Sequence, residues 1–281
     1  MSHTEREEAG APLRRRLLQV DGIGWRYVVN ERDAPALLLL TGALGEADFG
    51  SELMTRLARE FRIVAPDYPP IGELDALIRG LAAILDAEGI VAAHVLGGSF
   101  GGLVAQAFAR QRPEQVRSLI LSHTGAPRRV RGGQVAVALL KVIPSRLLRS
   151  LFRRRVRPAV TQAGPEWIER FEAVLARIGR REIVARMSIA LDAHRHCAEA
   201  MPDADRPTLI IHSDDDPLIS AADLAALRAL YPLAAVRTFH GTGHLTALLR
   251  PDAFAGAVAG FIREQQPQNT HPDQPPVPPR G

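Results

Sequence analysis

Short apolar runs alternate with helix-like segments along most of this 281-residue chain. Several runs are apolar on both alternating faces, which is typical of strands covered by helices on each side of a parallel sheet. The predicted strands are residues 36–40, 61–65, 93–97, 117–122, 208–212 and 235–239. Segments with an apolar spacing of about 3.6 residues, and therefore predicted helices, are 49–59, 74–88, 103–112, 221–230 and 252–262. This alternation predicts an α/β fold with a mostly parallel, doubly wound sheet.

Two regions depart from the alternation. Residues 17–21 and 25–30 flank Gly22 and Gly24 and predict an N-terminal antiparallel hairpin. Residues 125–204 show no strand pattern but three helical segments, 135–152, 166–178 and 182–199, which predict an all-helical insertion over the carboxyl ends of the strands, where ligands bind in open α/β sheets. The predicted organisation is a core in two parts (1–124 and 204–264), a helical cap (125–203) and a disordered proline-rich tail (265–281).

The composition excludes several classes of protein. It is 46% hydrophobic and 23% charged, as in a folded globular chain. No stretch approaches the ~18 consecutive apolar residues that a membrane span needs. The N-terminus lacks the apolar region of a signal peptide, and the single Cys197 cannot form an internal disulfide, so we expect a cytoplasmic protein. The composition predicts no particular oligomeric state.

The formal net charge is +4, but we do not expect a nucleic-acid partner. Only Lys141 among the 35 basic residues is a lysine, which is typical of a GC-rich genome. No zinc-finger or RNA-binding signature accompanies the charge.

A glycine-rich turn joins a predicted strand to a predicted helix at Gly97-Gly98-Ser99-Phe100-Gly101-Gly102. This is the G-x-S-x-G pattern of a nucleophile elbow, in which small neighbours let strand and helix approach and the serine hydroxyl is lifted out of the sheet. Such turns also hold phosphates, but neither G-x-G-x-x-G nor a G-K-[ST] ending is present. Ser99 is therefore the candidate nucleophile, and the Phe100 N–H, at the helix start, is a candidate oxyanion donor.

A serine nucleophile needs a base and a group that orients the base, and both are expected at later strand ends. The strand at 208–212 is followed by three aspartates, of which we favour Asp216, then Asp215, with Asp214 a candidate turn cap. His244, in a Gly-Thr-Gly-His loop after the last strand, is the candidate base, and His240 is the second choice. His94, His123 and His212, inside or beside strands, are interpreted as packing residues. His194 and His196 are two residues apart, on different faces of a helix, and are not expected to share a metal.

A second oxyanion donor is expected in the loop after the strand at 36–40. This loop reads Thr41-Gly42-Ala43-Leu44-Gly45, and either Ala43 or Leu44 is positioned to supply a backbone N–H.

The elbow, Asp216-Pro217, Gly243-His244 and the helical insertion together resemble the α/β-hydrolase superfamily over about residues 17–262. The resemblance implies that Ser99, Asp216 and His244 form a catalytic triad and that the insertion is the cap. Two features depart from the usual pattern: Thr41-Gly42 replaces His-Gly, and Asp67 leads into Tyr68-Pro69-Pro70. The Tyr-Pro pair and residues 177–191 resemble the maspardin branch, whose members serve as binding or adaptor proteins with an incomplete triad.

The predicted function is a serine hydrolase that forms an acyl-enzyme on an ester, thioester or related carbonyl substrate, with no metal or organic cofactor. A maspardin-like adaptor, and an acyltransferase, C–C hydrolase or perhydrolase, are the alternatives.

The first part of the predicted cap is rich in arginine and carries no acidic residue between 128 and 165. Its charged side chains have three interpretations: a solvated outer face, peripheral contact with an anionic membrane, or an inward site for a substrate anion. Pro144 is expected to end or kink its first helix.

Overall fold

Eight strands form one sheet in the order β1-β2-β4-β3-β5-β6-β7-β8. A computed structural model of the chain describes residues 12–44, 51–128, 130–196 and 205–265. The strands are β1 (Arg14–Val20), β2 (Ile23–Val29), β3 (Ala36–Leu40), β4 (Arg62–Pro66), β5 (Ala93–Gly98), β6 (Val116–Ser122), β7 (Thr208–Ser213) and β8 (Ala235–Phe239). Strands β3 to β8 pair in parallel, and β1 and β2 form an antiparallel hairpin whose second strand pairs with β4. The predicted fold class is confirmed.

Helices cover both faces of the sheet. Those outside the insertion are α1 (Ser51–Leu57), α2 (Leu74–Ala87), α3 (Phe100–Gln111), α8 (Ala221–Leu230), α9 (Thr246–Leu249) and α10 (Pro251–Glu264). The core on one face joins α2, α3 and α8 to the sheet, and the core on the other face joins α1 and α10 to it. This arrangement places the carboxyl ends of the parallel strands along one edge of the sheet, with a helical layer on either side.

The segment between β6 and β7 contains four helices rather than the three predicted segments. They are α4 (Gly133–Val142), α5 (Ser145–Thr161), α6 (Pro165–Arg177) and α7 (Arg180–His196). The predicted segment 135–152 forms parts of two helices, because the chain is extended at Pro144 (φ −54°, ψ 136°) and a new helix begins after it; the predicted end of the first helix at Pro144 is confirmed. The predicted extension of the last segment to 199 lies outside the described residues.

The sequence predicted that the helix after the elbow begins at Leu103. In the structure this helix begins at Phe100. Glycines are poor helix formers, so Gly101 and Gly102 hide the first turn from a pattern of apolar spacing. Packing decides their conformation here, since both are buried beneath neighbouring backbone and side chains.

Helices α5 and α6 and the start of α7 pack around Phe171 into a third apolar cluster. This cluster includes Leu44 after β3, and Leu245 and Leu248 after β8 pack against it, so the insertion lies over the carboxyl ends of the sheet. The boundaries 125–203 for a separate cap stay a prediction, and residues 266–281 of the tail lie outside the described residues. None of the described helices combines the length and apolarity needed to span a bilayer.

Candidate active site

Ser99 lies at the apex of the turn between β5 and α3. Its backbone angles are φ 53° and ψ −116°, a conformation that side chains rarely adopt and that costs on the order of 1–3 kcal/mol. Flanking structure holds the turn: the Ser99 N–H donates to Ser122 O (2.8 Å), and the Gly102 N–H donates to Ser99 O (2.9 Å). The strain is therefore built into the fold at the predicted nucleophile.

The glycines around Ser99 are required by close approach. A Cβ at Gly97 would collide with the carbonyl of Gly101, and one at Gly101 would collide with the carbonyls of Leu40 and Thr41. Strand β5, helix α3 and the loop after β3 thus meet at distances that no larger residue permits. This contact brings the loop of Thr41 to Leu44 beside the serine, since a Cβ built on Gly42 would lie 3.8 Å from Ser99 Cβ.

His244 and Asp216 face each other across the ends of β7 and β8. His244 Nδ1 donates to Asp216 Oδ2 (2.8 Å) and lies 3.0 Å from Oδ1, and both side chains are nearly inaccessible to solvent. Asp216 Oδ1 also accepts from the backbone N–H of Leu218 (2.8 Å). Burial by itself would raise the pKa of Asp216, but the hydrogen bond and charge of His244 outweigh it and hold that pKa below its usual value. Asp216 is therefore an ionised acceptor that fixes the proton of His244 on Nδ1.

The other two aspartates have different partners. Asp214 is exposed and pairs with the exposed His240 (2.7 Å), the second-choice histidine. Asp215 accepts from Ser213 Oγ (2.5 Å) and from the Gly243 N–H (2.8 Å), so it anchors the loop that carries His244. Among the three carboxylates, Asp216 is the one bonded to His244.

Ser99 and His244 line the same cavity, which has a volume of about 200 Å³. Among the described residues, no direct hydrogen bond within 3.5 Å joins their side chains. Such bonds are often long without substrate and tighten when a complex forms. The cavity walls are mainly aliphatic and aromatic, with contributions from β3, β5, α1, α5, α9 and α10.

The loop after β3 contains Thr41, and it contacts Tyr68; both residues depart from the usual superfamily pattern. The Tyr68 hydroxyl donates to Thr41 O (3.0 Å), and its ring packs edge-on against Phe100 with centroids 5.5 Å apart. Burial raises the pKa of Tyr68, so the phenol stays protonated as a donor. Arg186 of α7 donates to Ala43 O (2.6 Å). These contacts fix the loop beside Ser99, although which of Ala43 and Leu44 supplies the N–H stays open.

His123 belongs to the site, although the sequence suggested a packing residue. It has φ 48°, is 4% exposed, and lines the cavity with its ring edge-on to that of His244. Its Nδ1 is hydrogen-bonded to Ser122 Oγ and its Nε2 to Thr246 Oγ1, both at 2.8 Å. The sequence signal was weak, since a histidine directly after an aliphatic strand also suits a core. His94 fits that interpretation, buried and bonded to Ser118 Oγ (2.8 Å).

Comparison with known proteins agrees with this geometry. Residues 35–251 match the sequence profile of the alpha/beta hydrolase fold family. A hydrolase structure from Pseudomonas aeruginosa superposes with a TM-score of 0.76 at 24% identity, covering 88% of this chain and 98% of that one. A poly(3-hydroxyalkanoate) depolymerase from Ectopseudomonas oleovorans is 25% identical over 82% of this chain and 85% of its own length.

A longer relative covers more of the chain. The polyketide synthase ThaQ from Burkholderia thailandensis is 27% identical over 92% of this chain, which spans only 13% of the synthase.

The chain belongs to the alpha/beta hydrolase fold family. Within that family it is a hydrolase. The similarity to the maspardin branch stays a prediction.

Proposed function

We propose that this hydrolase acts through an acyl-enzyme, with Ser99 as nucleophile, His244 as general base and Asp216 as the residue that orients the base. One observation carries the proposal. Ser99 occupies a strained apex on the wall of a cavity that it shares with His244, and the Nδ1 of His244 is held by buried Asp216. The filled acid and histidine positions favour an enzyme over an adaptor.

The reaction begins when Ser99 Oγ attacks the substrate carbonyl carbon while His244 Nε2 removes the hydroxyl proton. The oxyanion forms beside the Phe100 N–H, which has no intrahelical partner because it opens α3, and beside the N–H of Ala43 or Leu44. His244 then gives its proton to the leaving group. Water, activated by the same imidazole, attacks the acyl-enzyme carbonyl, releases a carboxylic acid and restores Ser99.

The cavity favours an apolar acyl group. Its apolar lining comprises Leu39, Leu40, Ala43, Leu44, Leu53, Leu96, Phe152, Val156, Val160, Leu218, Leu245, Ala247, Leu248 and Phe254. Apolar walls beside a nucleophile stabilise a bound hydrocarbon chain by removing it from water, at about 25 cal/mol per Å². We therefore propose carboxylic esters and thioesters with aliphatic acyl groups as the substrate class, in keeping with the similarity to a poly(3-hydroxyalkanoate) depolymerase.

Hydrolysis of p-nitrophenyl esters of increasing acyl length tests this function. Wild-type protein is expected to release p-nitrophenol, with kcat/KM rising from acetate towards medium chains. Ser99→Ala is expected to lose at least about 10⁴-fold in kcat while keeping its circular dichroism spectrum. Ser188→Ala removes a serine hydroxyl that bonds to Val184 O on α7 and does not line this cavity, and it is the control, expected to retain activity close to that of the wild type. No hydrolysis of any ester by folded wild-type protein would contradict the proposal.

A further inference from the structure

Helices α4 and α5 each expose aliphatic side chains at helical spacing. Val135, Leu139 and Val142 follow helical spacing on α4, and Leu147 and Leu151 do so on α5. Each is between 45% and 74% exposed, although large aliphatic residues are usually at least partly covered. We call these five residues the aliphatic stripe.

Positive charge is concentrated in the same insertion. Residues 130–196 hold 14 basic and 5 acidic residues, whereas the rest of the chain holds 21 basic and 26 acidic. The net positive charge of the protein is therefore local rather than a uniform effect of composition. Six arginines lie on α5 alone: Arg146, Arg149, Arg153, Arg154, Arg155 and Arg157.

Helix α5 separates the aliphatic stripe from the cavity. Its Phe152, Val156 and Val160 line the cavity, while Leu147 and Leu151 are exposed on its other side. A surface that contacts the outer side of α5 would thus lie one helix diameter, ~10 Å, from the acyl site.

We propose that the aliphatic stripe and the surrounding arginines bind an anionic lipid surface. Aliphatic side chains enter the boundary between headgroups and acyl chains, and arginines pair with the lipid phosphates. A second copy of the chain fits this face less well, because a symmetric contact would bring like-charged arginine clusters together. A nucleic-acid backbone would leave the aliphatic stripe unused. This inference rests on the proposed function, and it assigns as substrate an acyl ester that enters the cavity from the lipid surface.

Vesicle co-sedimentation of full-length Ser99→Ala protein tests the binding without any catalysis. We expect binding to vesicles of phosphatidylcholine with phosphatidylglycerol, weak binding to phosphatidylcholine alone, and loss of binding at high salt. In that background, Leu139→Ser/Val142→Ser/Leu147→Ser is expected to lower the apparent partition coefficient at least tenfold. Val91→Ser/Leu233→Ser, which alters aliphatic residues that are 84% and 71% exposed elsewhere in the fold, is the control and is expected to bind normally.

Two double variants with the same change in net charge test the role of the arginines. Arg146→Glu/Arg154→Glu is expected to abolish binding to anionic vesicles, and Arg59→Glu/Arg228→Glu, with the same change in net charge, is expected to retain it. The proposal is wrong if each pair of variants behaves alike or if anionic vesicles do not bind at low salt. It is also wrong if the stripe variants instead convert a dimer into a monomer. If the wild-type protein hydrolyses esters but does not bind vesicles, this inference is wrong and the proposed function is unaffected.

Discussion

The ring of His123 stands edge-on to the ring of His244, with centroids 5.6 Å apart and planes at 80°. Both nitrogens of His123 are hydrogen-bonded, so the ring is a rigid neighbour for the candidate base. Thr246, which bonds to Nε2, lies two residues beyond His244, and the contact therefore ties the end of β6 to the loop that carries the base.

His123→Asn is expected to lower kcat by up to about tenfold with little change in KM. An edge contact between rings is worth ~0.5–1.5 kcal/mol, and its loss frees the His244 ring to leave its orientation. Asparagine tolerates positive φ, so the variant adds little backbone strain at this position. His94→Asn removes a buried histidine of β5 that does not line the cavity and should leave kcat unchanged; equal losses in both variants would contradict a positioning role.

Asp216→Asn is expected to reduce kcat by about 10²–10⁴-fold, because an amide no longer favours the Nδ1–H form of His244 or stabilises its charged form. The measurement is steady-state ester hydrolysis by the three asparagine variants of the aspartate cluster. Asp214→Asn, at an exposed pair, should retain full activity. Asp215→Asn should fall in between, since it anchors Gly243 without contacting His244. If Asp215→Asn proves the most damaging of the three, the assignment of the acid is wrong.

The protein is expected to lose stability as the pH falls from 6.5 towards 4. Burial, aided by the neighbouring His244, lowers the pKa of His123 to about 4, and burial likewise lowers the pKa of His94 to about 4. Between these values and the ordinary 6.5, the unfolded chain binds protons that the folded chain does not, so the free energy of unfolding rises with pH in this window. The charge of Asp216 acts to raise the pKa of His123, and His212 acts to lower it.

Urea unfolding at several pH values measures this effect. Each buried histidine contributes at most ~1.4 kcal/mol per pH unit within the window. His123→Asn should flatten the profile relative to wild type. An identical slope in the variant would show that His123 titrates normally in the folded protein.

Gly97→Ala is expected to destabilise the fold by about 1–3 kcal/mol or more, because its Cβ would collide with the backbone of Gly101. The adjacent Gly98→Ala is a close control, since nothing lies within 4 Å of a Cβ there. The free energy of unfolding from urea titration compares the two. Similar stability of both variants would mean that the elbow is looser than described.

The order of strands and helices and the nucleophile elbow could be predicted from the sequence. The contacts between side chains that are distant in the sequence could not. The aliphatic run at 36–40 coincides with strand β3 because a central parallel strand is short, buried and bounded by turn residues. Ser99 was identifiable because a strained turn demands small neighbours, which leaves a visible pattern of glycines. Both signals are local and survive in a single sequence.

For the three adjacent aspartates, no local sequence pattern shows which one binds the candidate base. Their partners depend on how the loops after β7 and β8 pack together. Asp215 binds the Gly243 N–H, whereas the next residue, Asp216, binds His244. His123 was missed for the same reason, since its role arises from contact with a residue 121 positions away. The break at Pro144 was expected, but the share of α5 in the cavity wall depends on packing of the insertion.

Covalent labelling tests most directly whether Ser99 is a nucleophile activated within this cavity. A fluorophosphonate probe should modify the wild-type protein once, and peptide mass spectrometry should place the adduct on Ser99. Labelling should vanish in Ser99→Ala and slow markedly in His244→Ala. Folded wild-type protein that stays unlabelled, or an adduct on any other serine, would contradict the assignment of Ser99 as the nucleophile.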